Sequence, residues 1–257
     1  MWSTMSVPKR LIAVLNWRGG AMVKSYGYSI WRPAMRLAAS LRVLDRWQLD
    51  EIVLLDISRG ESTDEVLLDS LADLDLTTPL AVGGGIRGRE DVERVLESGA
   101  DRIVLESVLF DQPDAARSIV DMVGRQAIIG SMPVTASCKE ISVWRPAGNV
   151  SQPPLKVARR WFDDGLVGEV MVTDVEAEGY SGRFSPNLPH TFAELLPNSV
   201  IWFGGLGAAE GAKILRLPIT AGVAFGNPLH HSELAAVSLR SALKRGDTSL
   251  LRRWSPA

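Results

Sequence analysis

Two short apolar runs that end in glycine turns, placed half a chain apart, constrain this sequence more than any other feature. Leu80–Ile86 reads Leu-Ala-Val-Gly-Gly-Gly-Ile, and charged and apolar residues follow at helical spacing through Ser98. That pattern predicts a buried strand, a glycine turn and a helix start. Val200–Gly207 reads Val-Ile-Trp-Phe-Gly-Gly-Leu-Gly, with Gly204 standing 121 residues after Gly83. Val53–Ile57 is answered by Met171–Val175, and the aspartates they share, Asp56 and Asp174, are 118 residues apart. Leu11–Leu15 pairs in the same way with Ala127–Ser131, and Arg102–Leu105 with Thr220–Ala224. Each half therefore reads strand, strand with a terminal aspartate, strand with glycines, strand. Units this long are half-domains, not solenoid repeats.

Eight short apolar strands separated by helical patterns, in two equivalent halves, close best as a (β/α)8 TIM barrel of the α/β class. An open doubly wound sheet accounts for the repetition less well. The 257 residues suit a single barrel domain, with half-barrels at about 9–125 and 126–245 and a tail from 246 to 257. No run approaches the ~18–20 apolar residues of a membrane span. Met1–Arg10 lacks the apolar segment of a signal peptide, so the expected location is cytoplasmic, away from membranes. The single cysteine, Cys138, excludes an internal disulfide, and His190, His230 and His231 show no metal-ligand spacing. No metal and no cofactor is expected. A net charge of -2 gives no electrostatic reason to expect nucleic acid.

In a barrel of this kind chemistry belongs at the carboxyl ends of the strands. Strand 1 leads into Asn16–Gly20 and a long loop with Lys24, Tyr26, Tyr28 and Trp31, followed by a helix over Pro33–Trp47. Strand 2 ends at Asp56, and strand 3 at the Gly83–Gly85 turn. Strand 4 ends at Glu106-Ser107, before a helix over Gln112–Val123. Strand 5, Ala127–Gly130, emerges into Ser131-Met132-Pro133, and Ser137–Pro154 reads as a loop or small hairpin. Strand 6 delivers Asp174, Glu176 and Glu178, and a helix follows over Pro186–Leu196. Backbone N–H groups at glycine turns suit anions. One cradle at the Gly84-Gly85 turn, and another after strands 7 and 8, with Gly205, Gly207, Gly226 and Asn227, imply a ligand phosphorylated at both ends.

Taken together and in order, Asp50-Glu-Ile-Val-Leu-Leu-Asp-Ile, Val82-Gly-Gly-Gly-Ile, Gly99-Ala-Asp-Arg-Ile, Gly168-Glu-Val-Met-Val-Thr and Phe203-Gly-Gly-Leu-Gly carry a family likeness. The chain resembles the cyclase subunit of imidazole glycerol phosphate synthase from Arg10 to about Leu239. The resemblance implies a glutaminase partner docked on the amino-terminal face of the barrel. By the same resemblance, ammonia from that partner is expected to cross the barrel to a phosphorylated sugar-type substrate. It also implies a gate of four charges, here Arg10, Glu51, Arg102 and Glu169, with Asp101 at the partner interface, and it makes Lys24, Asp56 and Glu178 catalytic candidates. The family's two catalytic aspartates are absent. Asn16 stands at the first position and Met132 at the second, and neither side chain exchanges a proton near neutral pH. Glu106-Ser107 replaces a phosphate-binding Asn-Thr pair. The sequence therefore reads as a divergent member that docks a glutaminase and conducts ammonia, outside histidine synthesis, for example to a surface sugar. A working cyclase that makes imidazole glycerol phosphate and a non-catalytic phosphosugar-binding scaffold are the alternatives.

Overall fold

The structure, a computed structural model, describes residues 8–47, 49–60, 62–136, 141–145, 152–230, 235–244 and 251. Eight strands form a closed parallel barrel in chain order: β1 (Arg10–Arg18), β4 (Glu51–Asp56), β5 (Leu80–Gly83), β6 (Arg102–Leu105), β7 (Ile128–Ala136), β9 (Glu169–Asp174), β10 (Val200–Phe203) and β11 (Thr220–Phe225). Strand β11 pairs back onto β1, with Arg10 opposite Gly222 and Ala13 opposite Phe225. The expected (β/α)8 architecture is observed.

Period-two alternation sorts every barrel strand into two faces. Ile12, Val14, Val53, Leu55, Val104, Ile129, Met171, Ile201 and Phe203 fill the barrel interior. Leu11, Leu15, Leu54, Ile103, Val172 and Trp202 face an outer shell of helices. That shell includes α1 (Leu37–Arg46), α2 (Glu65–Ala72), α3 (Arg89–Glu97), α4 (Ser107–Asp111), α5 (Pro113–Val123), α6 (Pro154–Asp163), α7 (Leu188–Thr191), α8 (Ala208–Ile214) and α9 (Ala235–Lys244). Asp64 caps α2 by accepting the Val66 N–H at 2.9 Å, which fixes the helix start.

Three expectations need correction. The segment after strand 1 is a β-meander. β1 runs on to Arg18 and pairs antiparallel with β2 (Ala21–Tyr26), which pairs with β3 (Ile30–Pro33). Pro33 therefore ends a strand, and α1 begins only at Leu37. Strand 5 does not stop at Gly130: β7 continues to Ala136 and turns back as β8 (Ile141–Val143), with Val134 opposite Val143. The helix expected over Pro186–Leu196 survives only as α7. Beyond Thr191 the bonds Ala193 N–H to His190 O and Leu195 N–H to Phe192 O are tight i to i−3 turns, and Pro197 prevents continuation. Of the sequence tail, Leu251 is buried and bridges to Lys9; the rest lies outside the described residues, as do Cys138 and His231.

The outer shell is anchored by Trp161, fully buried on α6 and edge-on to Phe110 with ring centroids 4.9 Å apart. Trp161→Ala lowers the unfolding free energy by about 3–5 kcal/mol, read from urea denaturation curves.

Candidate active site at the carboxyl ends of the strands

The two halves of the barrel repeat one device at their upper end. Asp56, at the end of β4, accepts the Ser58 N–H on Oδ1 and the Asp64 N–H on Oδ2, both at 2.8 Å. Asp174, at the end of β9, accepts the Ala177 N–H at 3.2 Å and the Ser185 N–H at 2.9 Å. Each carboxylate thus folds the loop that follows its own strand. Each loop then lies against the next glycine turn. A Cβ on Gly84 falls 2.0 Å from the Asp56 carbonyl oxygen, and one on Gly204 falls 2.4 Å from that of Asp174. Both glycines have φ near the same left-handed value, +100° and +93°. The equivalent turn residues are therefore Gly84 and Gly204, one register from the match at Gly83, and close packing alone requires them to be glycine.

What lies above the two halves differs. Over β4, β5, β6 and β7 opens a cavity of about 550 Å³. Asp56, Gly84, Gly85, Glu106, Ser107, Ser131 and Pro133 line it, with Tyr28, Trp31 and Trp144 as aromatic walls and Arg59, Arg87 and Arg145 among its cations. Over β9, β10 and β11 the space shrinks to about 10 Å³, room for roughly one water. Gly205, Gly226 and Asn227 border that residue of space. The β2–β3 hairpin covers it. Asn227 Nδ2 donates to the Ser25 carbonyl at 2.7 Å, Ser25 Oγ donates to Glu178 at 2.9 Å, and Tyr26 packs on Tyr180 with centroids 5.3 Å apart. Gly207 stands outside this space, capping α8 at its start. Glu178 is thus a buried anchor for the hairpin tip, and burial pushes its carboxyl above the usual range against the pull of Ser25.

The remaining candidates sort by strand alternation. Asn16 follows Ile12 and Val14 on the inward face of β1, and its buried Oδ1 has no partner among the described residues. Met132 is fully buried in the outer shell, opposite Val172. The inward positions on β7 are Ser131 and Pro133, so the expectation that Met132 faces the ligand is corrected by one residue. Period-two counting from the inward Ile129 finds both. Lys24 sits on β2 opposite Arg32 and does not line the cavity. The resemblance puts Glu106 where the family has a phosphate-binding Asn. The structure turns it into the cavity, where it accepts from Ser131 Oγ at 2.9 Å. Burial raises its carboxyl, offset in part by Ser131, Arg145 and Arg59. Tyr28 has φ +49°, strained for a residue with a Cβ, and stacks on Trp144 at 6.1 Å. Its phenol is pushed well above the ordinary value by burial and by Glu178 and Glu106, which places the hydroxyl in the field of both carboxylates.

At the opposite mouth four charges form a closed ring. Arg10 bridges Glu51 at 2.8 Å and Glu169 at 2.5 Å; Arg102 bridges Glu51 at 3.0 Å and Glu169 at 2.8 Å. Burial raises the Glu169 carboxyl, but Arg10 and Arg102 outweigh it and hold the group below its usual range. Asp101 accepts the Leu80 N–H at 2.8 Å, and Asp50 accepts the Leu11 N–H at 2.8 Å, so both aspartates brace strand starts.

Residues 13–235 match the family model described as histidine biosynthesis protein. The chain is 27% identical over 239 residues to a Campylobacter jejuni protein named as a candidate imidazole glycerol phosphate synthase subunit hisF2, spanning 92% of this chain and 95% of that protein. It is 27% identical over 252 residues to imidazole glycerol phosphate synthase subunit HisF of Alkaliphilus metalliredigens, spanning 96% of this chain and all of that one. With the HisF subunit of Geobacillus kaustophilus it shares 29% identity over 212 residues, 79% of this chain and 83% of the other. No described helix is long and apolar enough to cross a membrane.

A carboxyl whose folded pKa is raised favours the folded state below its unfolded pKa and loses that contribution as pH rises through the folded value. Glu178→Gln therefore raises the melting temperature at about pH 7.5, and the gain vanishes below about pH 4, where Glu178 is protonated in both states. Thermal melts at the two pH values measure it.

Proposed function

Because the chain belongs to the histidine biosynthesis protein family, as a cyclase-type barrel of the HisF kind, we propose that it is an ammonia-accepting synthase subunit whose cyclase chemistry has been lost. It docks a glutaminase at the amino-terminal mouth, in the cytoplasm, and passes ammonia to a phosphorylated or sugar-linked acceptor outside histidine synthesis. One observation carries this reading: the two ends of the barrel are furnished unequally. The ring of Arg10, Glu51, Arg102 and Glu169 is complete, every charge meeting two of opposite sign. The upper mouth has Asn16, Ser131 and Pro133 on its inward faces, where acid–base catalysis needs carboxylates.

The physical case follows from that arrangement. Removing a general acid or base costs ~100- to 10,000-fold each, so two losses leave little cyclisation. The column above the ring, from Ile12 and Val53 through Val104, Met171 and Ile201, is apolar. Such an interior admits neutral ammonia and penalises ammonium. The ring is costly to bury and adds little net stability as an ion-pair cluster, so its completeness favours a role in entry. Asp101 would extend the docking face. A working cyclase is favoured by the protonatable Glu106 in the cavity; the second carboxylate there, Asp56, has both oxygens taken by the Ser58 and Asp64 N–H groups, which leaves Glu106 to do the work of an acid and a base alone.

The test is to mix the chain with a cognate glutaminase subunit and follow glutamine hydrolysis. The expected result is a stable complex with hydrolysis stimulated at least about tenfold, a barrier lowered by ~1.4 kcal/mol or more. Arg102→Lys, which keeps the ring's charge, retains the stimulation, and Arg102→Ala loses most of it. A chain that neither binds nor stimulates the glutaminase contradicts the proposal.

A further inference from the structure

A phosphate cradle needs donors, and the inner end of the cavity presents an acceptor. Glu106 follows inward-facing Val104 on β6 and is fixed toward Ser131, whose Oγ donates to it at 2.9 Å. The cation closest in role to a counter-charge, Arg145, is already committed: its two terminal nitrogens meet the two oxygens of Asp111 at 2.8 and 2.5 Å. Arg59 stands at the exposed rim. Asp56 adds a second carboxylate to the same cavity. The glycines here are accounted for without an anion, since a Cβ on Gly85 falls 2.3 Å from the Thr63 nitrogen.

We infer that Glu106, positioned by Ser131, makes the inner end of this cavity a receptor for a hydrogen-bond donor of the ligand, an amino group or a hydroxyl, and keeps a phosphoryl group out. The inference rests on the cavity being the ligand site and defines what that site takes. A carboxylate has about four lone-pair positions, and Ser131 occupies one of them. An N–H or O–H of the ligand fills another with a charge-assisted bond. A phosphoryl dianion offers only lone pairs and negative charge at that place, so it is repelled. Since the equivalent space over β9–β11 is reduced to about 10 Å³, the ligand is not held by two equivalent phosphate groups. Its anionic part, if it has one, lies outward, toward Arg59 and Arg87.

Sulfate and methylammonium separate the two classes of ligand, because neither changes protonation between about pH 5.5 and 8.5. The groups facing Glu106 are Arg59, Arg145, the Tyr28 phenol, Ser131 and the bonded carboxylates Asp56 and Asp111. Binding is read by calorimetry and by fluorescence of Trp31 and Trp144, with circular dichroism as the check on folding. The parent protein binds sulfate at least about tenfold more weakly at pH 8.5 than at pH 5.5. Glu106→Gln binds it equally at both, and at least about tenfold more tightly than the parent at pH 8.5. Ser131→Ala moves the parent's transition to higher pH, because the hydroxyl that stabilises the carboxylate is gone. Methylammonium shows the reverse preference, binding the parent better than Glu106→Gln. Equal sulfate affinity in the two proteins at both pH values, or a Glu106→Gln protein that binds no sulfate, overturns the inference. Glutaminase stimulation is read at the opposite face, so either proposal can fail alone.

Discussion

The parallel pairing of β11 with β1 is the contact on which everything else in this molecule depends. It joins the last strand to the first, over Arg10–Ala13 and Gly222–Phe225, and leaves the eight-stranded sheet without an edge. Closure turns period-two alternation into an inside and an outside. It brings Arg10 within reach of both Glu51 and Glu169, although these lie 41 and 159 residues away in the chain. It also brings Asn16, Glu106, Ser131 and Pro133, from three strands, to one mouth. Gly222 is part of the closure, because a Cβ there falls 2.9 Å from the Arg10 carbonyl oxygen.

On this closed frame a symmetric scaffold is used asymmetrically. Asp56 with Gly84, and Asp174 with Gly204, do the same mechanical work in the two halves. The hairpin grown from β1 then breaks the symmetry by docking on the second half through Ser25, Tyr26 and Asn227. Its other residues, Tyr28 and Trp31, turn toward the first half and wall the cavity. One insertion therefore closes one site and shapes the other. The left-handed Tyr28 lies at the division between them, and its strain is held by the stack on Trp144 and by the burial of its phenol.

The barrel was legible in the sequence because duplication and alternation are local signals that survive translation into space. Strand ends such as Asp56 and Asp174 were legible for the same reason, each at a fixed offset from an apolar run, whereas the four charges of the lower mouth were legible through the family resemblance. The hairpins were not. In β2 the buried residues Met22 and Ser25 stand three apart, so no period-two pattern marks the strand, and its pairing partners are set by tertiary context. Met132 was misplaced because strand 5 was ended at Gly130, and an early end removes the alternation that sends Met132 outward. Asp56 and Glu178 look like catalytic groups in sequence and serve as loop and hairpin anchors in space, since a carboxylate beside free N–H groups does either job. Glu106 stands at a position that the resemblance gives to phosphate. Only its hydrogen bond to Ser131 and its place in the lining show that it faces the cavity.

The functional account comes down to how unequally the two ends of one barrel are furnished: a closed ring of four charges below, and above it Asn16, Ser131 and Pro133 at the inward positions of β1 and β7. The measurement that tests it most directly supplies the family's bisphosphorylated ribosyl-carboxamide substrate with a saturating ammonium salt and no partner, and follows imidazole glycerol phosphate. Ammonium makes the lower mouth irrelevant, so only the upper one is examined. The account predicts product formation reduced by at least about 10,000-fold from an ordinary enzymatic rate, in folded protein. Turnover at an ordinary rate contradicts it and makes the chain a working cyclase whose proton transfers run through Glu106.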